Sequence, residues 1–231
     1  MSYMIKLIAP KFLLRAFCAL SIIFFLGHSL KYASSLSGAF IDYYTYSHIL
    51  IEGKSFERVY DPSFFNTTIA TLTQQPIKGF ANQPPTNAFA LVCLAWLNPV
   101  PAKLIYSVLS ILAFIGSVLI LLVLYDVSPT SDIGIGLISL SFLWRPVYVN
   151  TSNSQIFTII LFLFCLSLLA LKKGKQGLST FAFTIPFLIK GFGVIIFLWL
   201  TITKRWKALF FSVLLIISCL AISIPLFGLE A

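Results

Sequence analysis

The chain has 231 residues, of which 59% are hydrophobic, 16% aromatic and only 10% charged, and its formal net charge is +9. Because a soluble domain carries charge on about a quarter of its residues, this composition predicts an integral membrane protein and excludes an ordinary soluble enzyme. The surplus of Lys and Arg falls in short flanks of apolar segments, such as 172–175 and 204–207, which is the positive-inside pattern and not the basic surface of a nucleic-acid-binding protein.

The first apolar segment covers residues 7–30 and follows a basic flank. It resembles a signal peptide, but the apolar segments that come after it favour a retained first membrane helix with a cytoplasmic N-terminus. A polar excursion, residues 31–85, comes next and holds four of the seven acidic residues. We expect this excursion to form a large external loop that bears two short interfacial helices.

End signals and spacing predict the two helices of the external loop. The first covers about residues 42–51. The second begins after Asp61, an N-cap residue followed by proline at the first helical position. Apolar side chains recur along the second helix at helical spacing, at Phe65, Ile69 and Leu72. This spacing predicts an apolar stripe suited to lying on the membrane.

Six further apolar segments follow the loop, at about residues 86–98, 103–125, 133–149, 154–171, 177–200 and 207–227. A membrane-spanning helix needs about 20 residues, so 86–98 is too short and is predicted to be a half-membrane element that returns outside. The segment 177–200 is long enough, but both of its ends are basic and Lys190-Gly191 interrupts it. The positive-inside rule then predicts two half-length helices that meet at Lys190.

These segments predict an all-α polytopic membrane protein with about seven membrane segments, some half-length, folded as a single membrane domain over residues 1–231. Counting from the pair of half-helices puts 150–155 outside and 126–132 inside. The four cysteines all lie in apolar segments, and their spacing predicts neither a disulfide framework nor a metal site. Since the sequence also lacks a glycine-rich phosphate loop, we expect no metal and no cofactor.

Asp42 is the first candidate for chemistry. It follows the first apolar segment by about ten residues and is followed by Tyr43 and Tyr44, which can line a site. Aromatic neighbours and a low dielectric raise the pKa of a carboxyl group toward the range of a general base. An aspartate here also fits the N-cap of a helix over residues 43–51, and the two roles are compatible.

Lys190 is the second candidate because it lies in the middle of an apolar segment. An ammonium there is costly unless it is paired or hydrated, so such a lysine is a functional candidate by default. A phosphate at the membrane surface is its natural partner. The alternative is a lysine at a helix end that extends its ammonium to the membrane surface.

A polar turn between residues 144 and 155 supplies the remaining candidates, Arg145, Asn150 and Gln155. The arginine suits a phosphate or pyrophosphate, and the two amides suit sugar hydroxyls. An ordinary capped loop explains the same residues equally well.

Several short motifs occur in a recognisable order: Asp42-Tyr43-Tyr44, Val59-Tyr60-Asp61-Pro62, Pro84-Pro85, Asn98-Pro99, Ser154-Gln155, the mid-segment Lys190, and Lys204-Arg205-Trp206. In this order the chain resembles glycosyltransferase family 87, the polyprenyl-phosphate-mannose-dependent mannosyltransferases of the GT-C class. Family members are considerably longer. The resemblance therefore implies the N-terminal module of a GT-C fold, without the C-terminal helices of full-length relatives.

The resemblance implies transfer of a hexose, mannose or a similar sugar, from a polyprenyl phosphate to a hydroxyl of a glycan or glycolipid acceptor. It places the reaction on the outer face of a bacterial or archaeal cytoplasmic membrane, without a metal. By position, Asp42 would deprotonate the acceptor, and Lys190, with Arg145, would hold the donor phosphate. Asn150 and Gln155 would orient a sugar.

Two other classes of protein remain open from the sequence. A transporter or flippase also has broken helices and a lysine inside the membrane, although no inverted repeat is visible here. The short chain also fits a non-catalytic membrane scaffold. Transfer of a radiolabelled sugar from a polyprenyl phosphate discriminates an enzyme from both.

Overall fold

The computed structural model describes residues 2–36, 38–53, 56–79, 84–191 and 194–227. Within these ranges the chain is all-helical. The α-helices are α1 (Ser2–Lys31), α2 (Ala39–Ile51), α3 (Pro62–Thr73), α4 (Pro99–Leu124), α5 (Asp132–Leu143), α6 (Arg145–Ser152), α7 (Phe157–Lys172), α8 (Gln176–Lys190), α9 (Val194–Ile202) and α10 (Trp206–Phe227). Two 3₁₀ helices cover Phe56–Tyr60 and Pro85–Phe89.

In the described part of the chain, two helices are long and apolar enough to cross a membrane by themselves, within α1 (Lys11–Lys31) and α4. The pair α5 and α6, bent by 44°, makes a third candidate. Helix α7 and the segment Trp206–Ile222 of α10 are apolar but shorter. These lengths support an integral membrane protein, and the number of about seven membrane segments stays a prediction.

The segments that connect the helices contact one another in two separate places, one at each end of the molecule. At the first, which we call the Asp42 end, the amide of Ala39 donates to the carbonyl of Asn153 at 2.9 Å, and Lys103 Nζ donates to the carbonyl of Tyr32 at 3.2 Å. At the other, the basic end, Lys172 Nζ lies 3.3 Å from Asp126 Oδ1. The residue ranges 150–155 and 126–132 therefore lie at opposite ends, as the sequence predicts, while the membrane face of each end stays a prediction.

Helix α2 is buried by protein on nearly every side. Ten of its 13 residues are buried, and it starts at Ala39, three residues earlier than predicted. Asp42 consequently lies inside its first turn, so the predicted N-cap role of Asp42 is wrong. The N-cap is Gly38, whose φ is +76°, and a Cβ on Gly38 would collide with the backbone of Asn153. Glycine therefore lets the start of α2 pack directly on the α6–α7 connection.

Helix α3 begins as the sequence predicts, because Asp61 is its N-cap and accepts a hydrogen bond from the amide of Ser63 at 2.9 Å. Its apolar stripe is also present, since Phe65 and Ile69 are fully buried. The stripe packs into the protein core, with Leu72 at its edge. The prediction that the stripe lies on the membrane is therefore wrong: α2 offers the stripe a protein surface.

Residues 86–98 do not form an α-helix. The 3₁₀ helix Pro85–Phe89 is followed by turns through residue 96. Hydrogen bonds from an amide to the carbonyl three residues earlier stabilise these turns. One example is the bond from the amide of Leu94 to the carbonyl of Leu91 at 2.8 Å. Prolines at both boundaries explain the form, since proline supplies no amide hydrogen and restricts the residue before it.

The predicted segment 133–149 is interrupted. Helix α5 ends at Leu143, and Trp144 is extended, with φ −69° and ψ 115°, before α6 begins with Arg145. Pro146 cannot donate a hydrogen bond to α5 and fits the first turn of a new helix. The predicted polar turn is thus a short helix.

The predicted break in 177–200 is confirmed. Helix α8 ends at Lys190, and its C-cap Gly191 adopts a left-handed conformation with φ +66°. Helix α9 then runs back from Val194. Glycine after the last helical residue is the usual way for a helix to stop, because a left-handed residue without Cβ carries no steric cost.

Candidate functional site

Asp42 and Lys190 come together at the Asp42 end. The carboxylate is 5% exposed, and it interacts electrostatically with the half-buried Lys190 ammonium. The ammonium also lies 5.2 Å from the ring centroid of Tyr43. Asp42 and Lys190, which are 148 positions apart in the chain, therefore lie in one charged cluster next to the ring of Tyr43.

Tyr43 is fully buried beside this pair, and its hydroxyl has no hydrogen-bond partner among the described residues. Burial raises the pKa of the Tyr43 phenol, and the negative charge of Asp42 raises it further. The phenol therefore stays protonated at neutral pH. A buried hydroxyl without a partner is costly, and a bound hydroxyl or phosphate oxygen would relieve that cost.

The last turn of α8 fixes Lys190. The last four carbonyls of a helix have no partner inside the helix. One of them, on Leu188, accepts a hydrogen bond from Thr86 Oγ1 of the 3₁₀ helix Pro85–Phe89. This bond ties the helix end that carries Lys190 to the segment that follows the external loop.

Gly79 covers Asp42 from the side of the external loop. Its amide donates to Asn66 Oδ1 at 2.9 Å, and this hydrogen bond holds the loop backbone at Gly79 against α3. A Cβ on Gly79 would collide with Asp42 Oδ1 and with the side chain of Ile69. Any larger residue would displace these side chains, so the backbone encloses the carboxylate closely.

Arg145, Asn150 and Gln155 form a second group. They line an open depression of about 820 Å³ between α6 and the start of α7. Arg145 is exposed, Gln155 is half-buried and Asn150 is 7% exposed. The Oδ1 atom of Asn150 has no hydrogen-bond partner in the described part of the chain. The structure thus brings these three predicted residues together.

Lys103 and Tyr106 of α4 lie next to the second group. A narrow cavity of about 10 Å³ has both of them in its wall, together with Asn150 and Gln155. Lys103 is 1% exposed, and its Nζ donates to Ser107 Oγ at 2.9 Å and to the carbonyl of Tyr32. The Tyr106 hydroxyl donates to the carbonyl of Ser154 at 3.1 Å. The second group is therefore continuous with polar side chains of α4.

A protein-family model supplies the class of reaction. The model of glycosyltransferase family 87 matches residues 83–231, which is more than half of the chain. The chain belongs to glycosyltransferase family 87. No curated protein and no solved structure gives a significant match.

Family membership makes the protein a glycosyltransferase, which handles a sugar donor and an acceptor in a lipid environment. The matched residues include Arg145, Asn150, Gln155 and Lys190, whereas Asp42 lies before the match. The case for Asp42 in this transferase consequently comes from geometry, through its position beside Lys190.

Tyr44, the other predicted substrate-binding tyrosine, packs inside the protein core of this transferase. It is 1% exposed, its hydroxyl donates to the carbonyl of Leu97 at 2.6 Å, and its ring stacks on His48. Burial and Glu52 raise its pKa. These contacts give it a packing role.

The sequence reading missed Lys103 as a site residue. A local pattern in the sequence could have identified it: a lysine lies in the first turns of an apolar helix, and Ser107 lies one turn later, where its hydroxyl can accept a hydrogen bond from the ammonium. As for metals, no cluster of three His, Cys, Asp or Glu side chains occurs among the described residues.

Proposed function

We propose that the chain moves a hexose, mannose or a similar sugar, from a polyprenyl phosphate to an acceptor hydroxyl on the outer face of the membrane. One observation carries the proposal: the buried Asp42 interacts electrostatically with the Lys190 ammonium, which lies 5.2 Å from the ring centroid of Tyr43, whose hydroxyl has no described partner. A base for the acceptor and a cation for the leaving phosphate are the two groups that sugar transfer from a phosphate needs.

In the proposed step, the acceptor oxygen forms a bond to the anomeric carbon of the donor. The bond from that carbon to the phosphate oxygen breaks, and its electron pair leaves with the polyprenyl phosphate. Asp42 takes the proton of the acceptor hydroxyl. Lys190 stabilises the negative charge that grows on the leaving phosphate, and the Tyr43 hydroxyl donates a hydrogen bond to a substrate oxygen.

The second group extends the proposed site. Arg145, exposed at the edge of the depression, suits a second contact with the donor phosphate, because a guanidinium binds phosphate with two hydrogen bonds. Asn150 and Gln155 suit sugar hydroxyls. The unpaired Oδ1 of Asn150 supports that role.

The charge distribution supports an outward-facing site. The basic end carries Lys172, Lys173 and Lys175 on one connection and three more cations between α9 and α10, which the positive-inside rule puts in the cytoplasm. The Asp42 end is opposite. We further propose that 31–85 is an external part of one membrane domain over 1–231, because the core around α2 also includes residues of α4, α7 and α8.

Asp42→Asn tests the proposal, with Asp61→Asn as the matched control. The assay is transfer of a radiolabelled sugar from a polyprenyl phosphate by membranes that contain the full chain. We expect Asp42→Asn to lower the rate by at least about 100-fold, since the base is lost while the side chain keeps its size. Asp61→Asn makes the same change in the same loop and keeps a good N-cap, so its rate should stay at wild type.

Transfer at the wild-type rate by Asp42→Asn would remove the assignment of the base. A loss of transfer in both variants would instead point to damage of the external loop. Equal amounts of each variant in the membrane fraction exclude failed insertion as the cause.

A further inference from the structure

The basic end contains a concave site that the transfer reaction does not use. An open cavity of about 470 Å³ lies where the α7–α8 and α9–α10 connections meet. Its wall consists of Leu171, Gln176, Lys204, Arg205, Trp206, Lys207 and Ala208. Three of these seven residues are cations and none is acidic, so the cavity attracts an anion.

No residue that the structure describes neutralises the cations of this cavity. Lys204, Arg205 and Lys207 make no ion pair with any described residue, and Arg205 instead lies 5.7 Å from the ring centroid of Trp199. Lys172, one connection away, has its charge matched by Asp126 at 3.3 Å. The difference shows that an acidic partner is available at this end but is not used in the cavity.

Two helix N-termini also meet at the cavity. Helix α8 begins at Gln176 and α10 at Trp206, and neither has an acidic residue in its first turn. The first amides of a helix point outward and carry partial positive charge. Here they add to the field of three cations and so reinforce the preference for an anion.

The surface below the cavity is apolar. Trp206, Phe210 and Phe211 are 58%, 63% and 55% exposed, and they continue along α10 into its membrane-facing length. Tryptophan is enriched at the level of lipid headgroups. A cationic cavity above exposed aromatic side chains therefore fits a molecule with an anionic head and apolar chains, and a free phosphate would leave the aromatic surface uncovered.

We propose that this cavity binds the headgroup of an anionic phospholipid, with its acyl chains along α10. The occupant is not the sugar donor, because α8 separates the cavity from Lys190 by about 22 Å, the length of a 15-residue helix. The proposal does not depend on the transfer reaction. Basic pockets between membrane helices are suited to anionic headgroups through the same electrostatics.

Native mass spectrometry of the full chain in neutral detergent tests this site, by titration with phosphatidylglycerol or phosphatidylcholine. We expect the wild type to bind phosphatidylglycerol with an apparent Kd at least about tenfold lower. The variant Lys204→Gln/Lys207→Gln should weaken that binding about 25-fold, or about fivefold for each cation. Arg205 is left in place because its guanidinium also lies 5.7 Å from the ring centroid of Trp199, so its replacement would change packing as well as charge.

The control variant is Lys173→Gln/Lys175→Gln. It removes the same charge from the same end, but neither residue lines the cavity. We expect it to weaken phosphatidylglycerol binding by less than about threefold. The conservative variant Lys204→Arg/Lys207→Arg should bind like the wild type, which shows that the turn tolerates substitution.

Three results would overturn the lipid site. Equal weakening in the two Gln variants would mean a diffuse surface charge, and equal binding of the two lipids would mean no headgroup preference. Displacement of phosphatidylglycerol by millimolar inorganic phosphate would mean that the cavity takes a free anion.

Discussion

The two ends of the molecule use charge in opposite ways. At the Asp42 end, an acid and a base are enclosed by protein, with Asp42 only 5% exposed. At the basic end, Lys172 and Asp126 form an ion pair in which both side chains are largely solvent-exposed. Burial of two ions carries a large desolvation cost, whereas an exposed pair changes stability by less than about 1 kcal/mol. The costly burial of Asp42 therefore favours a role in catalysis. The exposed charges at the basic end instead favour a role in orienting the protein in the membrane.

The largest expected effect comes from removing the half-buried cation beside Asp42. Lys190→Met should lower the rate of sugar transfer by about 100-fold, because in the proposed step its ammonium stabilises the charge that grows on the leaving phosphate. Lys190→Arg keeps the charge and should retain more activity than Lys190→Met. Lys173→Met, the same change at the basic end, should leave the rate within about twofold of wild type. Equal rates for the two Met variants would contradict the division between the ends.

The next effect concerns packing. Gly79→Ala should lower the free energy of unfolding by about 1–3 kcal/mol, since its Cβ would collide with Asp42 and Ile69. Gly177→Ala at the basic end meets nothing within 4 Å and should raise stability by up to about 1 kcal/mol through helix propensity. Denaturation in mixed micelles measures both. The idea of one tightly enclosed end fails if Gly79→Ala is as stable as the wild type.

The smallest effect separates two neighbouring tyrosines. Tyr44→Phe loses the hydrogen bond to Leu97 and should lower stability by about 1 kcal/mol, with the transfer rate unchanged. Tyr43→Phe removes an unpaired hydroxyl, so its stability should stay within about 0.5 kcal/mol of wild type. If that hydroxyl binds substrate, the transfer rate should fall about tenfold. An unchanged rate in Tyr43→Phe would leave its hydroxyl without a role.

Local signals allowed much of the fold to be predicted. The N-cap of α3 follows from Asp61-Pro62, and the break at Lys190-Gly191 follows from two basic flanks that a single span cannot place on one side. The burial of α2 was not predicted, although its apolar residues are spread around the helix, which is typical of a buried helix. The interruption at Trp144 was not predicted either, although Pro146 is a local signal for it.

The candidate site was predictable only in part. The sequence alone identified Asp42 and Lys190 as candidates, since each is a charged residue with apolar or aromatic neighbours in the chain. Their approach to one another depends on long-range packing of α2 and α8 around the 3₁₀ helix Pro85–Phe89, which no local pattern encodes. Lys103 was predictable in part: Ser107 lies one turn away in the sequence, whereas its other partner, the carbonyl of Tyr32, lies 71 residues away.

Helix α8 contains Pro186 one turn before Lys190, and proline cannot donate the hydrogen bond that would join it to the preceding turn. The turn that approaches Asp42 is therefore joined to the preceding turn by one backbone hydrogen bond fewer. The hydroxyl of Thr86 holds the carbonyl of Leu188 from across the fold. A side chain of the segment that follows the external loop thus helps to position the helix end that carries the lysine.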